Sequence, residues 1–298
     1  METQASSRLL IVDGHAYAYR AFHAIRHLNS PDGSPTNAIY GFIKMLAKMR
    51  VVLLPTHLSV VWDGGLAAER MAALPEYKAQ RPPMPDALAA QIDALQIYLA
   101  ASGLASFCEN GVEADDLIAT QARQAVGRGA GVVIASADKD FMQLVSARVG
   151  LFNPNDKSEM IWQAGAVRAK AGVEPEQIVD WLSLIGDTVD NIGGVPGVGP
   201  KTATDLLQQF GTVEALYGRL GEVKSERTRA ALQAAEPAVR RNQRLIRLRD
   251  DLPGAFELEV FSPRPADRAR LEALYREWGF KGLLAELPAS APAQGELL

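Results

Sequence analysis

The sequence predicts an α/β protein in which a mostly parallel central sheet is flanked by helices and followed by an all-helical C-terminal region. The first observation is a set of three short apolar runs that each end in aspartate, at residues 9–13, 58–63 and 132–138. Such runs, with helical patterns between them, are typical of buried parallel strands. The second observation is that the apolar spacing from Gly211 onward is mainly that of helices.

Composition narrows the class of protein. A chain of 298 residues with 48% hydrophobic and 22% charged residues has the composition of a soluble globular protein that can bury a sizeable core. Its formal charge of −4 is only a weak argument against a nucleic-acid partner, because the distribution of charge matters more than the total. The single cysteine, Cys108, excludes an internal disulfide and indicates a reducing compartment. The polar residues 1–7 precede an apolar run too short for a signal peptide or membrane span, which predicts a cytoplasmic protein.

The remaining elements follow from local patterns. Asn37 is expected to cap a helix that continues to about residue 46, and a second helix is expected at residues 88–99. Residues 153–156 are typical of a tight turn between two short strands. Pro175 starts a predicted helix that ends at Ile185, and residues 267–278 form the last predicted helix. Residues 256–261 alternate like an edge strand, and residues 288–298 are a predicted disordered tail.

The segment between Gly64 and Asp86 shows no strand period. It carries Arg70, Tyr77, Lys78 and Arg81, followed by several prolines. A basic, aromatic loop that emerges beside a site is typical of a lid or a substrate arch, and an ordinary solvated excursion is the alternative.

Clustered carboxylates are the strongest functional signal. Glu113, Asp115 and Asp116 lie where a helix begins, and acidic residues are favoured there by the helix dipole alone. However, Asp13, Asp63 and Asp138 end three predicted parallel strands, so their side chains are expected at the same edge of the sheet as that helix start. Asp140 follows two residues after Asp138, and Asp187 and Asp190 share one face if their turn is helical. Repulsion within such a cluster predicts a bound divalent metal.

A glycine-rich segment at residues 191–203 offers a second kind of site. A phosphate-binding loop of the Walker type requires glycine immediately before the lysine, whereas Pro200 precedes Lys201 here. The segment fits a helix-hairpin-helix motif, whose backbone N–H groups can approach a DNA phosphate closely. A plain connection between two helices is the alternative. The basic stretch at residues 240–249 is either a solvated helix face or a track for phosphates.

With these residues laid out, the chain resembles the 5′-nuclease (flap endonuclease-like) family. The likeness is greatest to the N-terminal 5′→3′ exonuclease domain found in bacterial DNA polymerases of type I. It extends from Leu9 to about Leu287 and includes the segments 12–14, 18–23, 40–42, 77–81, 113–116, 137–140, 186–191 and 196–202. One residue departs from the family pattern: the family usually has Phe before the arginine at Arg70, whereas this chain has Glu69.

The resemblance implies a division of the chain and a set of functional residues. It implies a catalytic domain at residues 1–174 with an arch at about 64–100, and a helical DNA-binding domain at 175–287 with the helix-hairpin-helix at 191–210. It implies two Mg²⁺ ions, replaceable by Mn²⁺, and a K⁺ ion at the hairpin. One ion is expected near Asp13, Asp63, Glu113, Asp115 and Asp116, and the other near Asp138, Asp140, Asp187 and Asp190. The predicted basic residues at the scissile phosphate are Arg20, Lys78 and Arg81, and the predicted DNA contacts are Arg70, Tyr77, Gly194, Gly197, Gly199, Lys201 and Thr202.

The function implied is metal-dependent 5′→3′ exonuclease and 5′-flap endonuclease activity on DNA in replication and repair. Expected partners are DNA with 5′ flaps, nicks or 5′ ends and RNA–DNA hybrids, without a membrane and with the protein as a monomer at the bacterial nucleoid. Two alternatives remain open at this stage. A PIN-like ribonuclease shares the strand-end aspartates but needs neither hairpin nor arch, and a non-catalytic DNA-binding module needs no carboxylate cluster. The short tail and the start of the chain favour a free-standing protein over part of a polymerase.

Overall fold

The computed structural model describes residues 7–153, 158, 160–254 and 256–287 of the chain. Its central sheet has the strand order β3-β2-β1-β4-β5-β6, in which every neighbouring pair is parallel except β5 and β6. The predicted mostly parallel sheet is therefore confirmed. The six strands are β1 (Arg8–Asp13), β2 (His57–Trp62), β3 (Ala105–Cys108), β4 (Gly131–Ala135), β5 (Val149–Phe152) and β6 (Ile161–Trp162).

Helices flank the sheet, and a small hairpin of two strands lies apart from it. The α-helices are α1 (Gly14–Ala24), α2 (Asn37–Leu53), α3 (Ala68–Ala73), α4 (Asp86–Ala101), α5 (Ala114–Gly127), α6 (Ala164–Ala171), α7 (Ile178–Ile185), α8 (Pro200–Phe210), α9 (Val213–Gly218), α10 (Glu226–Ile246), α11 (Arg268–Glu277) and α12 (Lys281–Glu286). Short 3-10 helices cover Lys139–Leu144, Pro175–Gln177, Leu220–Glu222 and Leu258–Phe261. The hairpin consists of β7 (Gly186–Asp187) and β8 (Ile192–Gly193).

The core has two halves, one on each face of the sheet. Alternate residues of β1 divide between them, because successive side chains of a strand point to opposite faces. Leu9 and Ile11 belong to the half that includes buried residues of α5 and of α7 to α10. Leu10 and Val12 belong to the half that includes buried residues of α1, α2, α4, α11 and α12. The last two helices thus return to the face that the first helices cover.

The sheet topology gathers the predicted carboxylates. Strands β1, β2 and β4 are adjacent and parallel, with Asp13 paired to Val61 and Val12 to Ala135. Their carboxyl ends therefore lie side by side, which places the residues that follow each strand at one edge. All functional side chains described below reach this edge or the helices next to it.

Four local predictions were wrong. The N-cap of α2 is Thr36, and the Asn37 side chain instead donates to the carbonyls of Phe22 and Ile25 at 2.8 Å. Residues 258–261 form a 3-10 helix and not an edge strand. The turn with Asp187 is a hairpin because β7 pairs with β8, so it is not helical.

The fourth error concerns the C-terminal helices. The helix predicted at residues 267–278 is α11, but it is followed by α12 in the described part of the chain. Two other predictions, most of the turn at residues 153–156 and the tail at 288–298, lie outside the described residues. Within the residues described, no helix is long and apolar enough to cross a membrane.

Candidate functional site

Asp13, at the end of β1, is fixed by two hydrogen bonds. One carboxylate oxygen accepts from the backbone N–H of Ala16 at 3.0 Å and caps α1, and the other accepts from the hydroxyl of Ser136 at 2.8 Å. The same hydroxyl accepts from the backbone N–H of Asp138 at 3.1 Å. Burial raises the pKa of Asp13 to about 6, even though both hydrogen bonds act to lower it. A buried carboxylate with this pKa is a group that a cation would stabilise.

The start of α5 brings further carboxylates to the same edge. Asp63, just after β2, accepts from the backbone N–H of Ala114 at 2.9 Å and so satisfies one of the free donors of the helix start. Asp115 lies in the first turn of α5. Burial raises the pKa of Asp115 well above its usual value, and the nearby charges of Asp138 and Asp13 raise it further. The strand-end residues and the helix start thus form one acidic group, as predicted.

A second acidic group lies beside the first. Asp140, Asp187 and Asp190 each offer a carboxylate oxygen, and these three oxygens lie within 4.8 Å of one another. Oδ1 of Asp140 is buried and has no hydrogen-bond partner among the described residues. Burial, together with the charges of Asp138 and Asp187, raises the pKa of Asp140 well above its usual value. Lys139 supplies one local countercharge, with its ammonium 3.1 Å from Asp187.

Glu113 connects this edge to the loop that follows α3. Its carboxylate accepts from the ammonium of Lys78 at 2.5 Å, from the hydroxyl of Tyr77 at 3.1 Å and from the backbone N–H of Ala67 at 3.1 Å. Burial by itself would raise the pKa of Glu113, but Lys78 and Arg70 outweigh it and hold that pKa below its usual value. Glu113 is therefore already neutralised by the protein.

Asp190 holds the same loop from the other side. The guanidinium of Arg81 donates to Asp190 at 2.6 Å, and the backbone N–H of Lys78 donates to the Asp190 carbonyl at 3.0 Å. Lys78 adopts a left-handed backbone with φ of 55° and is 7% exposed. Tyr77 is 3% exposed, so its side chain supports the site from inside, in contrast to its predicted contact with DNA. Two cationic side chains are thus held at the edge of the second acidic group.

Arg70 and Asp116 form a buried ion pair beside Glu113, whose carboxylate lies 3.3 Å from the Arg70 guanidinium. The Arg70 guanidinium donates to both oxygens of Asp116, at 2.9 and 2.7 Å, and to the carbonyl of Leu245 at 3.0 Å. Asp116 also accepts from the backbone N–H of Arg249 at 2.9 Å. The two side chains are 6% and 1% exposed. The geometry therefore supports neither a DNA contact for Arg70 nor a ligand role for Asp116, because each already has its partners inside the protein.

The arrangement fits divalent cations. Hard ions such as Mg²⁺ prefer carboxylate and water oxygens, and these are what the two acidic groups offer. The unpartnered oxygen of Asp140 and the raised pKa values of Asp13, Asp115 and Asp138 all indicate charge that the protein does not neutralise itself. The residues suited to hold ions are Asp13, Asp63 and Asp115 in one group and Asp140, Asp187 and Asp190 in the other. Asp138 lies between the groups, since its charge raises the pKa of both Asp115 and Asp140.

The glycine-rich segment lies between α7 and α8, next to the second acidic group. Gly194 packs so tightly that an added Cβ would lie 2.3 Å from the carbonyl of Ile185, and Gly197 has φ of +80°. Val195 and Val198 are buried and anchor the turn, whereas Gly197, Gly199 and Lys201 are exposed. The first turn of α8 therefore presents Lys201, with the half-buried Thr202 beside it, to the outside.

Three other placements complete the description. Arg20 lies on the exposed side of α1. Burial and the charge of Asp13 raise the pKa of Tyr17, whereas the charge of Arg20 lowers it. The sequence analysis did not single out Ser136 and Lys139. Both are polar residues within two positions of Asp138, and that proximity was the available signal. His15 adds a contact at the same edge, since its Nδ1 accepts from the backbone N–H of Asp63 at 3.0 Å.

Comparison with known families and proteins gives consistent matches. The family described as "5'-3' exonuclease, N-terminal resolvase-like domain" matches residues 8–172, and "5'-3' exonuclease, C-terminal SAM fold" matches residues 173–269. A 5'-3' exonuclease of Aquifex aeolicus is 38% identical, over 94% of this chain and 94% of its own length. DNA polymerase I of Pseudomonas aeruginosa is 39% identical over 97% of this chain. The chain spans only 32% of that polymerase.

Solved structures share the fold. A bacteriophage T5 5'-exonuclease with bound zinc has a TM-score of 0.68 and 25% identity, covering 81% of this chain and 90% of the other. The catalytic core of Rad2 in complex with a DNA substrate has a TM-score of 0.65 and 16% identity, covering 94% of this chain and 91% of the other. Both likenesses extend across the sheet and the helical region.

Proposed function

Because the chain belongs to the 5′-3′ exonuclease family, we propose that it is a divalent-metal-dependent nuclease that hydrolyses DNA phosphodiester bonds from 5′ ends and at 5′ flaps. The observation that carries the proposal is the group of Asp140, Asp187 and Asp190, whose oxygens lie within 4.8 Å of one another beside Lys78 and Arg81. Carboxylates of this kind bind metal, and adjacent cations bind phosphate. A module that only bound DNA would not need this group of carboxylates.

The roles of the chain's own residues follow from their positions. Two Mg²⁺ ions, when bound, would supply Lewis-acid stabilisation of the attacking and leaving oxygens of the phosphodiester. Asp13, Asp63 and Asp115 would hold one ion and Asp140, Asp187 and Asp190 the other, with Asp138 between them. Arg81, whose side chain is 41% exposed, would place positive charge where negative charge develops on the phosphate, and the buried Lys78 would add its charge from inside the site. Glu113 is a positioning residue, since it fixes Tyr77 and Lys78 through hydrogen bonds.

Binding of the substrate is divided between two parts of the chain. The turn at residues 194–199 and Lys201 would contact phosphates of the duplex, since exposed backbone donors and an ammonium carry no base information. The basic loop from Gly64 to Pro85 would contact the strand near the scissile bond. We propose that catalysis belongs mainly to residues 1–174 and duplex binding to residues 175–287, with Asp187 and Asp190 of the second segment completing the acidic site.

The proposed substrates are DNA with 5′ flaps, nicks or 5′ ends, and RNA–DNA hybrids. The proposed ions are Mg²⁺ as the physiological metal, with Mn²⁺ as a substitute, and K⁺ at the turn of residues 194–199. The protein would act as a monomer in the cytoplasm, in replication and repair. The zinc bound to the T5 5'-exonuclease supports the metal, and the DNA substrate bound to the Rad2 core, which shares the fold, supports the DNA.

One incubation series tests the function. The full chain is mixed with 5′-flap DNA, an RNA of the same sequence and a blunt duplex, each with Mg²⁺ and with a chelator. The proposal expects cleavage of the flap DNA in Mg²⁺ and none with the chelator. Cleavage of RNA in place of DNA would indicate a PIN-like ribonuclease, and binding of flap DNA without cleavage would indicate a DNA-binding module.

A further inference from the structure

The surface between α3 and the C-terminal end of α10 carries unusual positive charge. Arg244, Arg247 and Arg249 are exposed there. They line two adjoining cavities of about 580 and 400 Å³, and all three arginines belong to both. We call this surface the basic groove. Arg244 and Arg247 form no ion pair with any described residue, so their charge is available to a ligand.

The acidic residues that line the basic groove are Glu69, Glu214, Asp250 and Asp251, and none of them forms an ion pair with Arg244 or Arg247. Glu214 is engaged by Arg240 at 2.5 Å. Glu69 lies 3.7 Å from Arg249, but its side chain is 80% exposed, and such pairs contribute little. Asp250, which also lines the larger cavity, lies 3.6 Å from Arg123. Arg70 also lines the smaller cavity, but Asp116 neutralises its charge. The other charged residues that line this cavity are Arg244, Arg247 and Arg249, and Glu69 is the one carboxylate among its lining residues.

The backbone under the basic groove is tied to the acidic site. Arg70 donates to the carbonyls of Leu245 and Arg247, and Asp116 accepts from the N–H of Arg249. On the other side, Gln143 donates to the carbonyl of Ile246 at 3.1 Å and accepts from the N–H of Leu248 at 3.1 Å. Asp116 is next to Asp115 and Gln143 is three residues from Asp140. The groove is therefore held at a fixed position relative to the carboxylates.

We propose that the basic groove binds the sugar-phosphate backbone of the single-stranded 5′ part of the substrate, and this inference rests on the proposed function. Guanidinium groups match phosphate oxygens in a bidentate geometry. The side chains that line the smaller cavity include no aromatic ring, so stacking on bases is not offered and binding is sequence-tolerant. The groove adjoins α3, which lies in the segment from Gly64 to Pro85 that is proposed to contact the DNA strand near the scissile bond. The duplex, in contrast, is assigned to residues 194–202.

Glu69 gives this groove a feature of its own. Its carboxylate faces Arg249 across the smaller cavity, 3.7 Å from the guanidinium. A carboxylate in that place competes with phosphate for the guanidinium. Removing its charge should therefore strengthen binding of the single strand, which is a gain that misfolding cannot produce.

The test measures equilibrium binding by the full chain in the presence of a chelator, so that no hydrolysis occurs. One labelled DNA carries a 5′ flap, and the other is the same nicked duplex without the flap. The double variant Arg244→Gln, Arg247→Gln should lose about tenfold in affinity for the flap DNA, and its log-log salt slope should fall by about 1.4, while the nicked duplex binds as before. Glu69→Gln should bind the flap DNA about twofold more tightly.

Arg270→Gln is the matched control, because Arg270 is an exposed arginine on α11, which packs on the opposite face of the sheet. It should bind both DNAs like the unmodified protein. Unchanged flap binding by the double variant would overturn the inference while leaving the proposed function intact. Equal losses on both DNAs would also overturn it, since they would assign the groove to duplex. If the unmodified protein bound neither DNA, the proposed function itself would fail, and the inference with it.

Discussion

Asp115 and Asp116 are neighbours in sequence, yet they lie in different electrostatic surroundings. Successive residues of a helix are rotated by about 100°, so Asp115 faces the strand ends while Asp116 faces Arg70. The sequence predicted that these carboxylates gather at one edge. It did not predict which of them the protein neutralises, because the partners of Asp116 come from residues 70 and 249, far away in the chain.

This difference leads to opposite effects on stability. In metal-free buffer, Asp116→Asn should lower the free energy of unfolding by about 3 kcal/mol, because the buried Arg70 loses its bidentate partner and keeps only Glu113, 3.3 Å away. Asp138→Asn should raise the free energy of unfolding, because it removes one charge from a crowded acidic group. Denaturant titrations of both variants check this. If both substitutions shifted the free energy of unfolding in the same direction, the distinction between a neutralised and an unneutralised carboxylate would be wrong.

Asp138 also tests the proposed chemistry. Asp138→Asn should bind flap DNA nearly as well as the unmodified protein but lose most of its turnover in Mg²⁺, and Asp115→Asn should behave alike. Asp93→Asn is the control, since Asp93 is an exposed aspartate on α4, outside the two acidic groups. Turnover and affinity are measured on one substrate. Near-normal cleavage by Asp138→Asn would contradict the proposal that Asp138 is a metal ligand.

At the scale of elements, the turn between β8 and α8 separates structural glycines from exposed ones. Gly194 must be glycine, since an added Cβ would overlap the Ile185 carbonyl. Gly199 differs, because a Cβ there meets open space and its φ is −96°. A side chain at Gly199 therefore does not strain the turn in the free protein, contrary to what the glycine-rich sequence suggests. It occupies only the space through which a phosphate would approach.

Gly199→Val and Lys201→Ala should accordingly weaken binding to duplex-containing DNA while leaving the melting temperature unchanged. Lys201→Ala removes one phosphate contact, so the log-log salt slope should fall by about 0.9. Binding to a short single strand should change much less, because that strand does not use the turn. Titrations across several salt concentrations test this. Identical affinities and slopes for Lys201→Ala and the unmodified protein would reduce the segment to a structural turn.

The elements that the sequence predicted well are those with strong local patterns. β1, β2 and β4 are buried runs, and their periodicity and terminal aspartates were sufficient to place them. β3 went unrecognised because it has four residues that are only partly buried, so its pattern carries little signal. Residues 258–261 alternate in polarity yet form a 3-10 helix, with Phe261 buried against Phe107 and Phe256. In such short segments tertiary packing overrides local preference.

At the scale of the whole molecule, the formal charge of −4 hides a strongly uneven distribution. Acidic groups lie at the carboxyl edge of the sheet, whereas the basic groove and Lys201 lie around them. A metal-bound site would therefore be surrounded by positive charge suited to a polyanion. The overall charge of a chain does not exclude a nucleic-acid partner when its carboxylates are gathered at one place.

The pH dependence of stability follows from the pKa shifts in the acidic groups. Asp13 has a pKa of about 6, and the pKa values of Asp115, Asp138 and Asp140 are also raised, above those of the unfolded chain. The folded protein therefore holds protons that the unfolded chain releases. The stability from these protons is fully present below the unfolded pKa and is lost as pH rises through the folded values. Glu113, whose pKa is lowered, acts in the opposite sense and loses its contribution only in stronger acid.

Divalent metal should reverse this loss, because it binds the ionised carboxylates and stabilises the folded state by linkage. In millimolar Mg²⁺ the melting temperature should rise clearly at about pH 7.5 and by much less at about pH 5, where protons compete for the same oxygens. The measurement is a set of thermal melts with Mg²⁺ or a chelator at matched ionic strength. Asp138→Asn should reduce the gain at neutral pH, whereas Asp93→Asn should preserve it. A gain independent of pH, or equally large in Asp138→Asn, would mean that the ion acts elsewhere than on these buried carboxylates.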